Sequence, residues 1–293
     1  MEKRVFFRSG WLPWLLLTPQ MAVILVFFFW PAAQALLQSL QQQDAFGTSV
    51  EFVGFDNFRQ IFSDPSYVES FKTTALFSVL VAGIGITLSL ALAVFADRIT
   101  RGGTFYKTML ILPYAVAPAV AAVLWVFMFS PSLGVVAYAL GKIGIDWNHL
   151  LDSGHAMTLI VMASVWKQIS YNFLFFLAGL QSIPKSLIEA AAIDGARPWR
   201  RFWTVQFPLL SPTTFFLLVI NVVYAFFDTF AIVDAATQGG PGKDTAILVY
   251  KVYYDGFKAM DLGGSAAQSV VLMVIVVALT VIQFRYVEKK VQY

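Results

Sequence analysis

Six runs of mostly apolar residues punctuate the chain, at 11–33, 73–96, 108–130, 156–179, 209–230 and 265–286. Each has about the 20 residues that a helix needs to cross the hydrocarbon core of a bilayer. The pattern therefore predicts an all-α membrane protein with six transmembrane helices, organised as one transmembrane domain over residues 1–293. Lys3, Arg4 and Arg8 precede the first run, and Ala33-Gln34-Ala35 imitates a signal-peptide cleavage site. Its apolar stretch exceeds the roughly 15 residues of a signal sequence core, so it is read as a span.

The polar connections differ in character. Residues 34–72 hold Phe46, Phe52, Phe55, Phe58 and Phe62 among Gly, Asp and Pro, which predicts a compact, partly folded cap. Residues 182–208 are charged and punctuated by proline. There Ser182 and Pro184 offer a helix start, Leu187 to Asp194 reads as helix, Gly195 suits a left-handed cap, and Pro198 opens a second helix. In 228–264, Thr237-Gln238-Gly239-Gly240-Pro241-Gly242-Lys243-Asp244 has a superficial likeness to a phosphate-binding loop. Thr237 stands where a Walker motif needs Gly and Asp244 where it needs Ser or Thr, so a tight turn or re-entrant loop is expected.

Composition agrees with the pattern: 58% of residues are hydrophobic and only 13% charged, a make-up foreign to water-soluble globules. Charge adds orientation. Thirteen Lys and Arg (3, 4, 8, 98, 101, 107, 185, 197, 200, 201, 285, 289 and 290) lie on one side with five acids, whereas six lie on the other with twelve acids. Short cytoplasmic loops accumulate Lys and Arg, so both termini and the 182–208 loop are expected in the cytoplasm. The basic balance then reflects topology, and no nucleic-acid partner is implied. With no cysteine, and with His149 and His155 lacking acidic or Cys partners at zinc spacing, no metal site is expected.

Polar residues inside the spans are the places to seek function, because hydrocarbon penalises them. Lys167 sits midway along the fourth run, where an ionised lysine costs about 2.5 to 3.5 kcal/mol on insertion scales. Asn172 follows it, and Asn221, Tyr224 and Asp228 occupy the outer half of the fifth run. These residues either line a solute pathway between the two spans, or serve packing. In the second case Lys167 would be held by a carboxylate such as Asp228 or by freed carbonyls, and the amides would bridge helices. Pro113 and Pro118 predict kinks in the third span, and Gly83, Gly85 and Ser89 a close helix approach in the second. No nucleophile elbow, paired carboxylates or nucleotide motif is present, so enzyme activity has little to rest on.

The 182–208 loop carries Glu189-Ala190-Ala191, Asp194-Gly195-Ala196, Phe202 and Phe207-Pro208, with Pro212 beyond. This set resembles the E-A-A loop of inner-membrane permeases of bacterial binding-protein-dependent ABC importers, departing at Phe207, where that family usually has Leu. Phe227-Asp228 with Gly239-Gly240-Pro241, Leu112-Pro113 and Trp125 are similar to its carbohydrate-type branch. Longer stretches, among them 164–176 and 265–273, resemble permeases for sn-glycerol-3-phosphate.

The resemblance implies the type I ABC importer permease fold in a bacterial inner membrane. The partners would be a second, similar permease, two copies of an ATPase subunit and a periplasmic or lipid-anchored binding protein. It also implies that the loop docks on the ATPase through Glu189, Ala190, Ala191, Asp194, Gly195 and Ala196, with Glu189 in an ion pair and Pro208 marking the following break. ATP and Mg would be bound by that ATPase, leaving this chain without a cofactor. The implied cargo is sn-glycerol-3-phosphate, with glycerophosphodiesters as a possible extension and a disaccharide as the alternative.

Overall fold

In a computed structural model, which describes residues 11–44, 49–99 and 101–287, the chain is overwhelmingly helical. Lys3, Arg4, Arg8, Phe46, Lys289 and Lys290 lie outside the described residues. Five helices are long and apolar enough to cross a membrane: α1 (Leu12–Gln38), α3 (Pro65–Asp97), α7 (Ser153–Ser182), α10 (Ser211–Asp228) and α13 (Leu262–Arg285). Between α3 and α7, α4 (Gly103–Ala115) and α5 (Pro118–Met128) make a sixth crossing only if they are taken together, and they meet at 104°.

The interruption expected from Pro113 and Pro118 is thus a full break in the helix. Pro118 has no N–H to return to the carbonyl of Tyr114 four residues earlier, and its ring drives Ala117 to extended backbone (φ −61°, ψ 142°). Val116 is extended as well (φ −79°, ψ 130°), after a 3₁₀ turn that contains Pro113. Two consecutive extended residues break the helical ladder completely and turn the chain.

The chain forms two compact units. One takes in the described residues up to Ser63 together with Val252–Val271. In it, a short antiparallel hairpin of β1 (Gln41–Gln43) and β2 (Val50–Phe52) is followed by α2 (Asp56–Ser63). The buried Asn57 side chain donates to the carbonyls of Ser39 (3.0 Å) and Gln41 (2.9 Å), pinning helix to hairpin. The loop over 34–64 is thus folded, with Phe52, Phe55 and Phe62 72, 70 and 62% exposed. Backbone pairing of the hairpin and the Asn57 side chain organise it.

The other unit comprises the described residues of Asp64–Lys251 and those from Leu272 on. Asp64 caps α3 by accepting from the Ser66 amide at 2.9 Å, and Lys251 lies 3.4 Å from the same carboxylate. The long helices α3 and α7 pack side by side, which small residues permit: Ser89 donates to Gly85 within its own helix (2.6 Å) and reaches the Ile169 carbonyl of α7 (3.2 Å). Phe173, Phe176 and Leu177 of α7 form an apolar core with Ala93, Leu210 and Leu217.

Three further elements matter for the site. α8 (Lys185–Ile193) follows α7 after a short turn, then α9 (198–209) and α10. Ser182 does not start α8; it ends α7, and its hydroxyl bonds back to the Gly179 carbonyl at 2.7 Å. The glycine-rich stretch after α11 (Phe230–Ala236) is a tight turn with a cis Gly240–Pro241 peptide, closed by the Thr245 hydroxyl donating to the Gly240 carbonyl at 2.6 Å.

Candidate functional site

Two places concentrate the residues singled out from the sequence. The first is a cavity of about 590 Å³ whose lining includes Tyr114, Val116, Lys167, Gln168, Tyr171, Tyr224 and Asp228. Lys167 projects from α7 towards the break between α4 and α5. Its ammonium donates to the carbonyls of Val116 (2.7 Å) and Tyr114 (3.2 Å) and lies 5.5 Å from the centre of the Tyr114 ring. The carbonyl of Tyr114 is the one that Pro118 leaves without its helical partner, and that of Val116 belongs to the extended link. The lysine therefore holds the broken span through carbonyls. Asp228 lines the same cavity, yet among the described residues Lys167 forms no salt bridge.

Tyr224 lines the cavity, and its hydroxyl donates to the Ser164 carbonyl of α7 at 3.2 Å. Asn172 and Asn221 are absent from the lining. Both are 0% exposed and face each other between α7 and α10, Asn172 Nδ2 donating to Asn221 Oδ1 at 3.0 Å and Asn221 Nδ2 to Asn172 Oδ1 at 2.8 Å. Asn221 Nδ2 also reaches the Leu217 carbonyl at 2.7 Å. Gly85 of α3 packs beside the pair, a Cβ built there lying in ordinary contact with both amides, at 3.5 and 3.6 Å. Of the five pathway candidates, three thus surround one cavity and two form a helix clamp beside it.

Tyr114 and Tyr171 were not among the candidates. Their rings lie 6.0 Å apart over the cavity, and with Tyr224 they make its wall strongly aromatic and hydroxylic. Aromatic residues are so frequent in this chain that the only sequence signal for Tyr114 was its place four residues before Pro118.

The second place is α8 and the turn after it. The Gly195 amide donates to Ala192 and the Ala196 amide to Ala191, each at 3.0 Å, while Gly195 has φ +79°. These two bonds are the Schellman closure of a helix end, which needs a left-handed residue after the cap. Gly195 supplies it. One face of helix α8 is open: Glu189 and Ala190 are exposed, and Ile193 is 87% exposed. Beyond the turn, Pro198 opens α9, whose middle is a π turn over Phe202–Gln206. The Phe207 amide reaches back five residues to Phe202, immediately before Pro208. The wider turn sits where proline withdraws a donor from the helix.

Residues 83–293 match the family described as binding-protein-dependent transport system inner membrane component. The chain is 61% identical over 292 residues to the sn-glycerol-3-phosphate transport system permease protein UgpA of Pectobacterium atrosepticum, covering 100% of this chain and 99% of that one. Its fold is similar to that in a crystal structure of a bacterial ABC transporter involved in the import of the acidic polysaccharide alginate, with a TM-score of 0.80 at 24% identity over 94% of this chain and 96% of that one. A structure of a bacterial alginate ABC transporter in complex with an alginate pentasaccharide-bound periplasmic protein is similar at a TM-score of 0.82 and 22% identity, over 93% and 92% of the two chains.

Proposed function

Because this chain belongs to the binding-protein-dependent transport system inner membrane component family, we propose that it is the permease subunit of an ATP-driven importer of sn-glycerol-3-phosphate. The observation that carries this assignment is identity along the entire chain with a permease of that name. The protein acts as a translocation pathway and not as an enzyme. ATP and Mg are bound and turned over by two copies of a partner ATPase, and a second, similar permease completes the pathway. A periplasmic or lipid-anchored binding protein delivers the solute.

The chain crosses a bacterial inner membrane six times, α4 and α5 together making the third crossing, with both termini in the cytoplasm. The distribution of Lys and Arg supports this orientation. The acid-rich outer loops repel a phosphate dianion, so capture falls to the binding protein, as expected where the local field does not concentrate the solute.

Transport follows from two joints. Glu189 to Ala196 seat in the ATPase, and closure of the ATPase pair moves α8. The Schellman turn at Gly195 keeps α8 at a set angle to α9, so the displacement reaches α10 through the π turn and Pro208. Tyr224 and Asp228 on α10 then shift against Lys167 on α7. The ATPase can bias this two-state motion only through contacts that differ between the states, and exposed α8 is where such contacts form. In the cavity Lys167 is a compact point charge able to hold a phosphate and release it. Aromatic and hydroxyl groups complete a wall suited to a small polyol phosphate.

Uptake of labelled sn-glycerol-3-phosphate into vesicles holding the complete transporter tests the assignment. Competition by unlabelled glycerol phosphate is expected, and competition by maltose but not glycerol phosphate would overturn it. Orientation is checked by single cysteines, which the native chain lacks: Lys243→Cys should react from outside and Arg200→Cys only from inside.

A further inference from the structure

A smaller cavity, of about 300 Å³, lies at the other end of the spans, lined by Arg98, Ile188, Pro198, Arg201 and Gln206. Arg98 is the residue that ends α3, immediately after its apolar run, and Arg201 and Gln206 lie on α9. Two arginines thus line one small space whose lining residues include no carboxylate. Among the described residues neither arginine forms a salt bridge. Like charges so placed repel, and a shared anion is what turns their repulsion into attraction.

Its surroundings indicate the kind of anion. Trp199 and Trp203 flank Arg201 on α9, 73 and 45% exposed, with their rings edge to face at 5.6 Å. Exposed tryptophans beside the end of an apolar span mark headgroup depth in a bilayer. At that depth a basic pocket between helices meets lipid phosphate, and planar guanidinium forks with an amide match its oxygens better than ammonium groups would.

We propose that Arg98, Arg201 and Gln206 form a site for a phosphate ester, filled by the headgroup of an acidic phospholipid of the inner leaflet. Ile188 of α8 closes one wall, so an occupied site ties the ATPase-facing helix to the end of α3 and makes its rest position sensitive to lipid composition. The inner-leaflet assignment rests on the orientation proposed above, but lipid retention does not depend on it. Failure of the orientation would appear in Arg200→Cys labelling, and failure of the site in lipid binding.

The test uses the complete transporter in nanodiscs of phosphatidylcholine with phosphatidylglycerol, with retained lipid identified by native mass spectrometry. The wild type should retain phosphatidylglycerol over phosphatidylcholine by about tenfold or more. The Arg98→Gln/Arg201→Gln variant should lose that preference, while Arg59→Gln, in the outer loop, should keep it. A second arm measures inorganic phosphate binding in phosphatidylcholine nanodiscs. Arginine-dependent phosphate binding without lipid preference would keep the anion site and overturn the lipid as its occupant. A wild type with no preference and no phosphate binding overturns the proposal, whether or not the variant folds.

Discussion

Asn172 and Asn221 exchange two hydrogen bonds, at 3.0 and 2.8 Å, across the fully buried contact of α7 and α10. In an apolar contact each amide is the other's solvent. Leaving one unpaired costs about 1 to 3 kcal/mol, whereas replacing both by apolar groups of similar shape is nearly neutral. Asn172→Leu and Asn221→Leu should therefore each lower the unfolding midpoint of the purified transporter, and the double variant should recover part of the loss. Additive effects in that double-mutant cycle would mean that the pair is not coupled.

Lys167 holds the bend between α4 and α5 through the Tyr114 and Val116 carbonyls. Replacing it by Ala should reduce uptake about tenfold, equivalent to about 1.4 kcal/mol, with basal ATPase activity near normal. Lys167→Arg keeps a donor for the carbonyls but changes the charge from a point to a plane, so it should preserve thermal stability better than transport. Equal recovery of both by Arg would show that only the carbonyl contacts matter.

At Gly195 a Cβ would meet open space, so the constraint is the left-handed backbone alone. Gly195→Ala should cost about 1 to 2 kcal/mol at this turn, and Gly195→Asn less, because Asn tolerates that region. Substrate-stimulated ATPase should fall in the order Gly, Asn, Ala, Val at this position. An order set by side-chain size, with Ala above Asn, would place the constraint in docking instead of the turn.

Glu189 is exposed on α8. Glu189→Ala should lower both uptake and substrate-stimulated ATPase while membrane content, measured by immunoblot, stays unchanged. Undiminished uptake would remove Glu189 from the coupling contact.

Burial raises the Asp64 carboxyl pKa, but the Ser66 hydroxyl and amide and the nearby Lys251 more than offset it, so the group sits below its ordinary range. A depressed carboxylate stabilises the folded state above the unfolded pKa, and the contribution fades as pH falls through the folded value. The wild type should therefore lose more stability than Asp64→Asn below about pH 4, measured as the unfolding midpoint against pH. Parallel curves would show that the cap contributes no charge-dependent stability.

Much of the molecule was legible from residue order because the physics there is local or additive. Apolar runs long enough for a bilayer and a glycine that must turn left-handed after Ala191 and Asp194 act within a few residues or over one segment. The Gly195 turn and the helix opened by Pro198 were recovered for that reason. Ser182 was misassigned because its hydroxyl had a carbonyl of the preceding turn as a nearer partner than the amides ahead of it.

Sequence alone therefore determined a helical protein with several apolar runs of membrane length and a left-handed turn at Gly195, since burial of apolar length and backbone chirality admit few alternatives, and the E-A-A residues added the permease family by resemblance. Tertiary structure decided which polar groups meet. Lys167 finds carbonyls from residues 51 and 53 positions away, and Asn172 finds Asn221 at a separation of 49. Those pairings depend on how α7 packs against a break bent by 104° and against α10, and no local propensity encodes such distances.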